Sequence, residues 1–480
     1  MKILFVYPDI NIDPNYAGYD YLGIAYLSAV LKKEGFGAEL LHIKRPISDN
    51  EFIDELKRRS PELVAFTSTT NMAVFVERWA RAAKRSLGSA TIMGGVHATL
   101  KPEDSIRIEG IDLVCIGEGE GALVDVSRKI FKKDRDMSGI PNIWSKKNGK
   151  IFKNEPRPLI KDLDALPLPD RDIFDLGEMD TYRIFTARGC PYICSYCFNQ
   201  AYKAVYKKSP EYVRFRSPEN IIEELRYAMD KYKKLRYVHF VDDTLPLKKS
   251  NFVRLTELYK SNIGLPYIAQ ARPNLMDEEN IRLLKESNCF QLQMGIESGN
   301  DYIRNTVLKR NISKRQIEDA FRTARKYNLR TYAYNMVGSP FENKERIMET
   351  LKLNASLDID TTHTSFYYPY PKTELEAICR KEGLIEKDWN LDYFTDSVLK
   401  FDRATKEFIF FIRRFFEVLN KVYSRAYKLP PVVRKPAVKL LDAVVTNSFF
   451  CMTVNRLRLL YIKIRNSLSA RRRQAPFKAR

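Results

Sequence analysis

Thr186-Ala-Arg-Gly-Cys-Pro-Tyr-Ile-Cys-Ser-Tyr-Cys-Phe198 sets three cysteines, Cys190, Cys194 and Cys197, within eight residues at C-x3-C-x2-C spacing. The sequence holds no fourth cysteine nearby. Cysteine thiolates hold iron–sulfur clusters, and a cubane [4Fe–4S] cluster usually takes four. Three on one short loop leave an iron with an open position, where a small molecule can bind. The competing reading is a three-thiolate zinc site completed by a distant His or Cys. Against it stands the uneven spacing, which is unlike the paired C-x2-C of zinc knuckles.

Outward from the loop, strand and helix patterns alternate. Strands are expected near 183–187, 238–241, 267–272, 291–296, 331–337 and 364–368, with helices such as 218–232 and 313–327 between them. Ser217 followed by Pro218 is a helix-start signal. Six such units suit a partial parallel (β/α)6 barrel, whose ligands gather at the strand C-termini. Further motifs fall at those ends. Phe240-Val-Asp-Asp-Thr244 offers two carboxylates, although Asp243 also suits a helix cap. Met294-Gly-Ile-Glu-Ser-Gly299 flanks a carboxylate with glycines, as close approach to a sugar hydroxyl would need. Asn335-Met-Val-Gly-Ser-Pro-Phe-Glu342 adds a third glycine-bearing end. Gln270, Arg272 and Asn335 are candidates to line a substrate cavity, or members of buried hydrogen-bond networks.

Residues 1–135 show an earlier alternation, with strands near 3–7, 38–43, 63–67, 90–93 and 113–116. This pattern argues a doubly wound, flavodoxin-like α/β sheet that binds ligands at its strand C-termini. The loops there are Pro8-Asp9, Ser68-Thr69-Thr70, Gly94-Gly95-Val96-His97 and Gly117-Glu118-Gly119-Glu120. Residues 136–180, rich in proline, read as a wrapping linker. Residues 181–375 read as the catalytic core, and 376–480 as a helical, basic C-terminal region.

The cysteine loop, with Tyr196 just before its third cysteine, resembles the signature of the radical S-adenosylmethionine (SAM) enzymes. The ordered motifs after it, through Tyr367-Tyr-Pro-Tyr-Pro-Lys-Thr-Glu-Leu375, strengthen that likeness; Lys372 departs from it where a glycine is common. The resemblance implies a [4Fe–4S] cluster on Cys190, Cys194 and Cys197 whose open iron chelates SAM. Reductive cleavage would then give a 5′-deoxyadenosyl radical. It also implies SAM contacts by Tyr196, Asp242, Asp243, Gly295, Glu297, Ser298 and Gly338. Gly94-Gly-Val-His-Ala-Thr99 with Ile116-Gly-Glu-Gly-Glu120 resembles the cobalamin-binding domain attached to one large class of these enzymes. That implies cobalamin contacts by Ser68, Thr69, Gly94, Gly95, His97, Gly117, Glu118 and Gly119. No Asp-x-His-x-x-Gly is present, so cobalamin would be held without that lower axial His. His97 is left between facing the corrin and packing or capping a loop.

The implied reaction is methylation of an unactivated carbon, one SAM serving as methyl donor and another as radical source. The alternatives are a radical cyclisation or rearrangement without net methylation, and an N-terminal domain that only binds substrate or partner. A flavodoxin- or ferredoxin-type protein is the expected electron donor.

Seven cysteines in 480 residues do not form a disulfide framework and fit a reducing cytoplasm. Cys115, Cys289, Cys379 and Cys451 read as packing residues. Net charge is +21, but residues 401–480 hold 19 Lys/Arg against 4 Asp/Glu, leaving 62 against 56 in the rest. The tail is helical in pattern over 404–470, with breaks expected at Pro430-Pro431 and Pro436 and disorder at Arg471-Arg-Arg473. Its stretches 408–416 and 449–464 mix bulky apolar and cationic residues, which suits an interfacial helix at the inner face of the membrane or a cap over the barrel. Such contact points to a lipid, isoprenoid or tetrapyrrole substrate. A basic tail alone does not specify RNA, so nucleic acid is disfavoured.

Overall fold

The computed structural model describes residues 1–10, 20–175, 179–207, 211–386 and 396–458. The expectations for 459–470 and for Arg471-Arg-Arg473 lie outside them. Two sheets organise the chain. The first comprises β1 (Lys2–Pro8), β2 (Gly37–Ile43), β3 (Leu63–Thr67), β4 (Ala90–Gly94), β5 (Leu113–Cys115), β6 (Ile143–Lys147) and β7 (Lys150–Lys153), in the order β2-β1-β3-β4-β5-β6-β7. Its first five strands are parallel and follow the flavodoxin-like order, with the switch point between β1 and β3. Apolar clusters cover both faces, Trp79 and Phe52 on one and Ile3, Phe5 and Leu123 on the other.

The stretch expected to be linker is not connector throughout. β6 and β7 form a hairpin that extends this sheet antiparallel to β5. Asn148 and Gly149 turn it with φ of 51° and 74°, the left-handed pair that a two-residue hairpin turn requires. Farther on the segment does wrap: buried Arg171 pairs with Asp20 and lies 3.8 Å from Glu224.

The second sheet contains β8 (Thr181–Ile184), β11 (Tyr237–Leu245), β12 (Tyr267–Ala271), β13 (Cys289–Glu297), β14 (Arg330–Val337) and β15 (Thr361–Phe366), all parallel and in that order. β8 and β15 do not meet, so the barrel is partial. Between β8 and β11 the short strands β9 (Ala187–Arg188) and β10 (Arg214–Phe215) pair antiparallel and bracket the cysteine loop. Ser217 caps the helix Pro218–Lys231 by accepting from the Asn220 N–H at 3.1 Å. One sheet face packs on the helices through residues such as Val238, Phe240, Ala269, Leu292 and Ala333. Strand alternation then turns His239, Gln270, Gln293 and Tyr334 to the concave face.

In the tail, one of the two expected arrangements is observed, and the expected break at Pro436 is not. Helix Arg403–Tyr427 buries Phe408, Ile409, Phe411, Ile412 and Phe416 against helix Lys344–Ser356 and β15, so this apolar run caps the barrel. Helix Pro431–Val445 runs through Pro436 rather than breaking there. The carbonyl one turn earlier belongs to Val432, 86% exposed, where water can replace the hydrogen bond that proline removes.

Candidate functional site

The carboxyl ends of both sheets face one cavity of about 650 Å³. One wall comes from Tyr7, Thr67 and the glycine turns after β4 and β5; the other comes from Arg188, Gly189, Phe198 and Asn199 of the cysteine loop and from Asp242 and Asp243.

On the first wall, the structure separates the residues expected around cobalamin. Gly94, Gly95, Gly117, Glu118 and Gly119 line the cavity. Gly95 has φ of 96°, and a Cβ there would lie 2.7 Å from the Ser68 carbonyl oxygen. Gly117 has φ of 78°, and a Cβ would strike the Tyr206 hydroxyl. Ser68 and Thr69 are not among the lining residues. They tie the loops together: the Ser68 N–H donates to Gly94 O at 3.0 Å, and the Ser68 hydroxyl to Thr69 O at 2.9 Å. His97 lines a separate cleft with Thr70, Lys101 and Asp104. Its Nδ1 stands 3.5 Å from the Thr70 hydroxyl, and burial pushes the imidazole down to about 4. Its imidazole therefore lies outside the cavity that the glycines line.

Glu118 holds the two walls together. Its Oε1 accepts from Arg188 at 3.1 Å and Arg214 at 2.8 Å, and its Oε2 accepts the Ile160 N–H at 2.9 Å. Glu120 takes the other arm of Arg188 at 2.8 Å. The Tyr206 hydroxyl accepts the Glu118 N–H at 2.7 Å. Sequence reasoning assigned nothing to Arg188, Arg214 or Tyr206. Arg188 sits inside the diagnostic loop, but its partners lie some 70 residues away and are chosen only by tertiary packing.

On the second wall, Asp242 is 3% exposed. Its Oδ1 accepts from the Thr186 N–H and hydroxyl and the Ala187 N–H at 2.7, 2.8 and 2.9 Å, while its Oδ2 is buried without a partner. Burial pushes this carboxyl up to about 7, against the pull of those three donors. Asp243 shares the cavity rather than capping a helix; burial raises it too, opposed by a hydrogen bond with Asn199.

Cys194 is buried, and Cys190 and Cys197 are partly accessible; none is in a disulfide. Arg272 donates to Cys194 Sγ at 3.4 Å and to Arg310 O at 2.6 Å, with its guanidinium 3.6 Å from the Tyr192 ring centroid. The Asn199 amide donates to Cys197 Sγ at 3.8 Å. Among the described residues, no three His, Cys, Asp or Glu side chains converge as ligands of a single ion. A cubane asks for something else, one thiolate at each of three irons. Three free thiols on one loop, with donors on two of their sulfurs, fit that demand. Burial pushes the Cys197 thiol up to about 12, and a coordinating metal deprotonates a thiol outright. Burial likewise holds Cys115, Cys289, Cys379 and Cys451 above the ordinary thiol range, in keeping with packing.

Tyr196, Gly295 and Glu297 come together beside the loop. Arg310 donates to the Tyr196 hydroxyl at 3.0 Å and to Gly295 O at 2.6 Å, and stands 3.6 Å from Glu297. Burial raises Glu297, opposed by Arg310 and by a hydrogen bond with Tyr196. Its φ of 62° is uncommon for a non-glycine residue and marks a constrained position. Ser298 is fully buried and turns inward, its hydroxyl accepting the Asn300 N–H at 3.3 Å. Gly338 packs under Ile409 of the C-terminal cap. Asn335 and Asn354 exchange amide hydrogen bonds at 3.1 and 2.8 Å, a buried structural pair rather than a cavity wall. On the concave face, the Tyr334 hydroxyl donates to Gln293 at 2.6 Å, and Gln270 reaches Gln293 at 3.5 Å and His239 at 3.3 Å.

Comparison with known proteins gives the same two halves. A family model described as the radical SAM superfamily matches residues 184–353, and one described as a B12 binding domain matches 17–127. An uncharacterized methyltransferase of Pyrococcus horikoshii is 30% identical over 429 residues, covering 86% of this chain and 89% of its own. The anaerobic magnesium-protoporphyrin IX monomethyl ester cyclase of Rubrivivax gelatinosus is 23% identical, covering 78% and 69%. The fold is similar to that of the radical SAM methyltransferase TsrM of Kitasatospora setae, solved with cobalamin and a [4Fe–4S] cluster. Its TM-score is 0.63 at 17% identity, over 81% of this chain and 76% of that one.

Proposed function

This chain belongs to the radical SAM family that carries an N-terminal B12-binding domain, and from that membership we propose that it methylates an unactivated carbon of a small molecule. The observation that carries the reading is the single cavity walled by the glycine turns of the first sheet and by the cysteine loop with Asp242 and Asp243. When bound, the cluster supplies the electron that cleaves SAM and the corrin carries the methyl group to be transferred.

Cys190, Cys194 and Cys197 hold the cluster, and Arg272 offsets the charge of the Cys194 thiolate. The unpaired Oδ2 of Asp242 is an acceptor for the SAM ammonium group, with Asp243 beside it. Glu297 and Gly295, held by Arg310 and Tyr196, take the ribose; Ser298 and Gly338 shape that site from behind. Gly94, Gly95, Gly117 and Gly119 let the backbone approach the corrin closely, and the Glu118–Arg188 pair fixes the two walls against each other. Gln270, Gln293, Tyr334 and His239 give the concave face hydrogen-bonding groups. They favour a substrate with polar substituents, such as a tetrapyrrole, over a bare hydrocarbon. A reduced flavodoxin- or ferredoxin-type protein supplies electrons.

The likeness to a cyclase supports a second reading, radical ring formation without methyl transfer. Anaerobic reconstitution with iron, sulfide and hydroxocobalamin, followed by SAM and a low-potential reductant such as dithionite, separates the two. Formation of 5′-deoxyadenosine together with S-adenosylhomocysteine is the expected result; deoxyadenosine alone favours the second reading. Cys194→Ala should reduce deoxyadenosine to background while retaining cobalamin absorbance. Undiminished deoxyadenosine from that variant would end both readings.

A further inference from the structure

Helix Pro431–Val445 is apolar on two sides. Val438, Leu441 and Val445 pack inward with the Arg403–Tyr427 helix. The outward stripe carries Val432, Val433, Leu440 and Val444, with Leu440 68% exposed. After a two-residue break the helical segment Ser448–Arg458 turns away by 61° and adds Phe449 at 79% exposure and Leu457. A helix apolar all round is ordinarily buried, and an exposed apolar patch of this kind marks an interaction surface.

The charge around the stripe narrows the partner. Residues 421–458 hold eight Lys/Arg, including Lys435, Lys439 and Arg456, against one acidic residue, Asp442. Asp442 is engaged inside the protein, accepting from Tyr423 at 3.0 Å and pairing with Lys352 at 2.6 Å. Among the described residues, no single helix is long and apolar enough to cross a membrane; this bent pair passes that test of length and composition together.

We propose that the bent pair Pro431–Val445 and Ser448–Arg458 docks on an anionic lipid bilayer, its apolar stripe in the interface and its cations among the headgroups. Basic amphipathic helices bind membranes by the sum of these two attractions. A second copy of the same surface would set cation against cation. A nucleic acid would satisfy the cations and leave Leu440 and Phe449 in water. An anionic bilayer satisfies both.

The test uses the full-length, anaerobically reconstituted protein floated with vesicles of phosphatidylcholine, alone or mixed with phosphatidylglycerol. Recovery should be about tenfold or more higher on the anionic vesicles and should fall as salt rises. Leu440→Asp/Phe449→Asp, and separately Lys435→Glu/Lys439→Glu, should each lower it about tenfold or more, with melting temperature and SAM cleavage unchanged. Phe449→Trp gives a readout that keeps the apolar surface, and its fluorescence should be quenched by brominated lipid. Equal recovery on the two vesicle types, an unquenched Trp, or undiminished flotation of the Asp variant overturns the proposal. So does a dimer in sedimentation that the Asp variant dissolves, which would give the patch to a second copy.

Discussion

Along β1 six of seven residues are buried, whereas along β15 burial alternates residue by residue. The first sheet is covered by helices on both faces and can meet a ligand only at its strand ends, where the glycine turns lie. The second is covered on one face and presents His239, Gln270, Gln293 and Tyr334 on the other. One sheet thus offers a ligand its rim; the other turns a face of hydrogen-bonding side chains away from its helices. The contrast follows from side-chain type: runs such as Leu63-Val-Ala-Phe66 leave no polar face, while Gln291-Leu-Gln-Met294 alternates.

The largest way to break the comparison lies in the sheet covered twice. Trp79 is fully buried, between Phe52 and Phe75 at centroid distances of 5.4 and 5.6 Å. Trp79→Ala should cost about 3–5 kcal/mol in urea unfolding; a loss below about 1 kcal/mol would show that this face contributes little. A smaller effect belongs to the loops of the second sheet. Glu342 is 6% exposed, and its Oε2 accepts the Ser339 N–H at 2.9 Å. Burial pushes its carboxyl up to about 8. Because the folded value is raised, its contribution is fully present below the unfolded value and is lost as pH rises through about 8. Glu342→Gln should flatten that slope, gaining about 2 kcal/mol on wild type between pH 6 and 8. Parallel urea midpoints across that range would sink the assignment. The smallest stability effect is expected on the concave face. Gln293→Leu should change unfolding by about 1 kcal/mol or less, yet lower product formation more than SAM cleavage without substrate. A matched fall in both would place Gln293 outside the substrate space.

Much of this was legible from residue type and spacing. The cysteine loop, the motifs at the barrel ends and the flavodoxin-like strand order follow from local patterns that a parallel α/β fold repeats. The hairpin of β6 and β7 was missed although Asn148-Gly149 signals its turn; the surrounding prolines outweighed that cue. His97 looked like a site residue because it follows two glycines, but its side chain leaves the cavity while the glycines stay. The Arg188–Glu118 and Arg272–Cys194 contacts were not legible, since both join residues that only the assembled sheets bring together. For 408–416 the interfacial helix and the barrel cap both stayed open, because amphipathic periodicity does not say what the apolar side faces; helix Lys344–Ser356 takes it.

Arg188 has one further consequence. Its guanidinium is gripped by Glu118 and Glu120 of the first sheet's loop, and its backbone runs into Cys190 two residues later. Two residues of extended chain reach at most about 7 Å. The cysteine loop is therefore leashed to the far wall through one arginine side chain and two residues of backbone. However the two halves of the molecule breathe, slack between the wall and its nearest sulfur cannot accumulate in the long connection between the sheets.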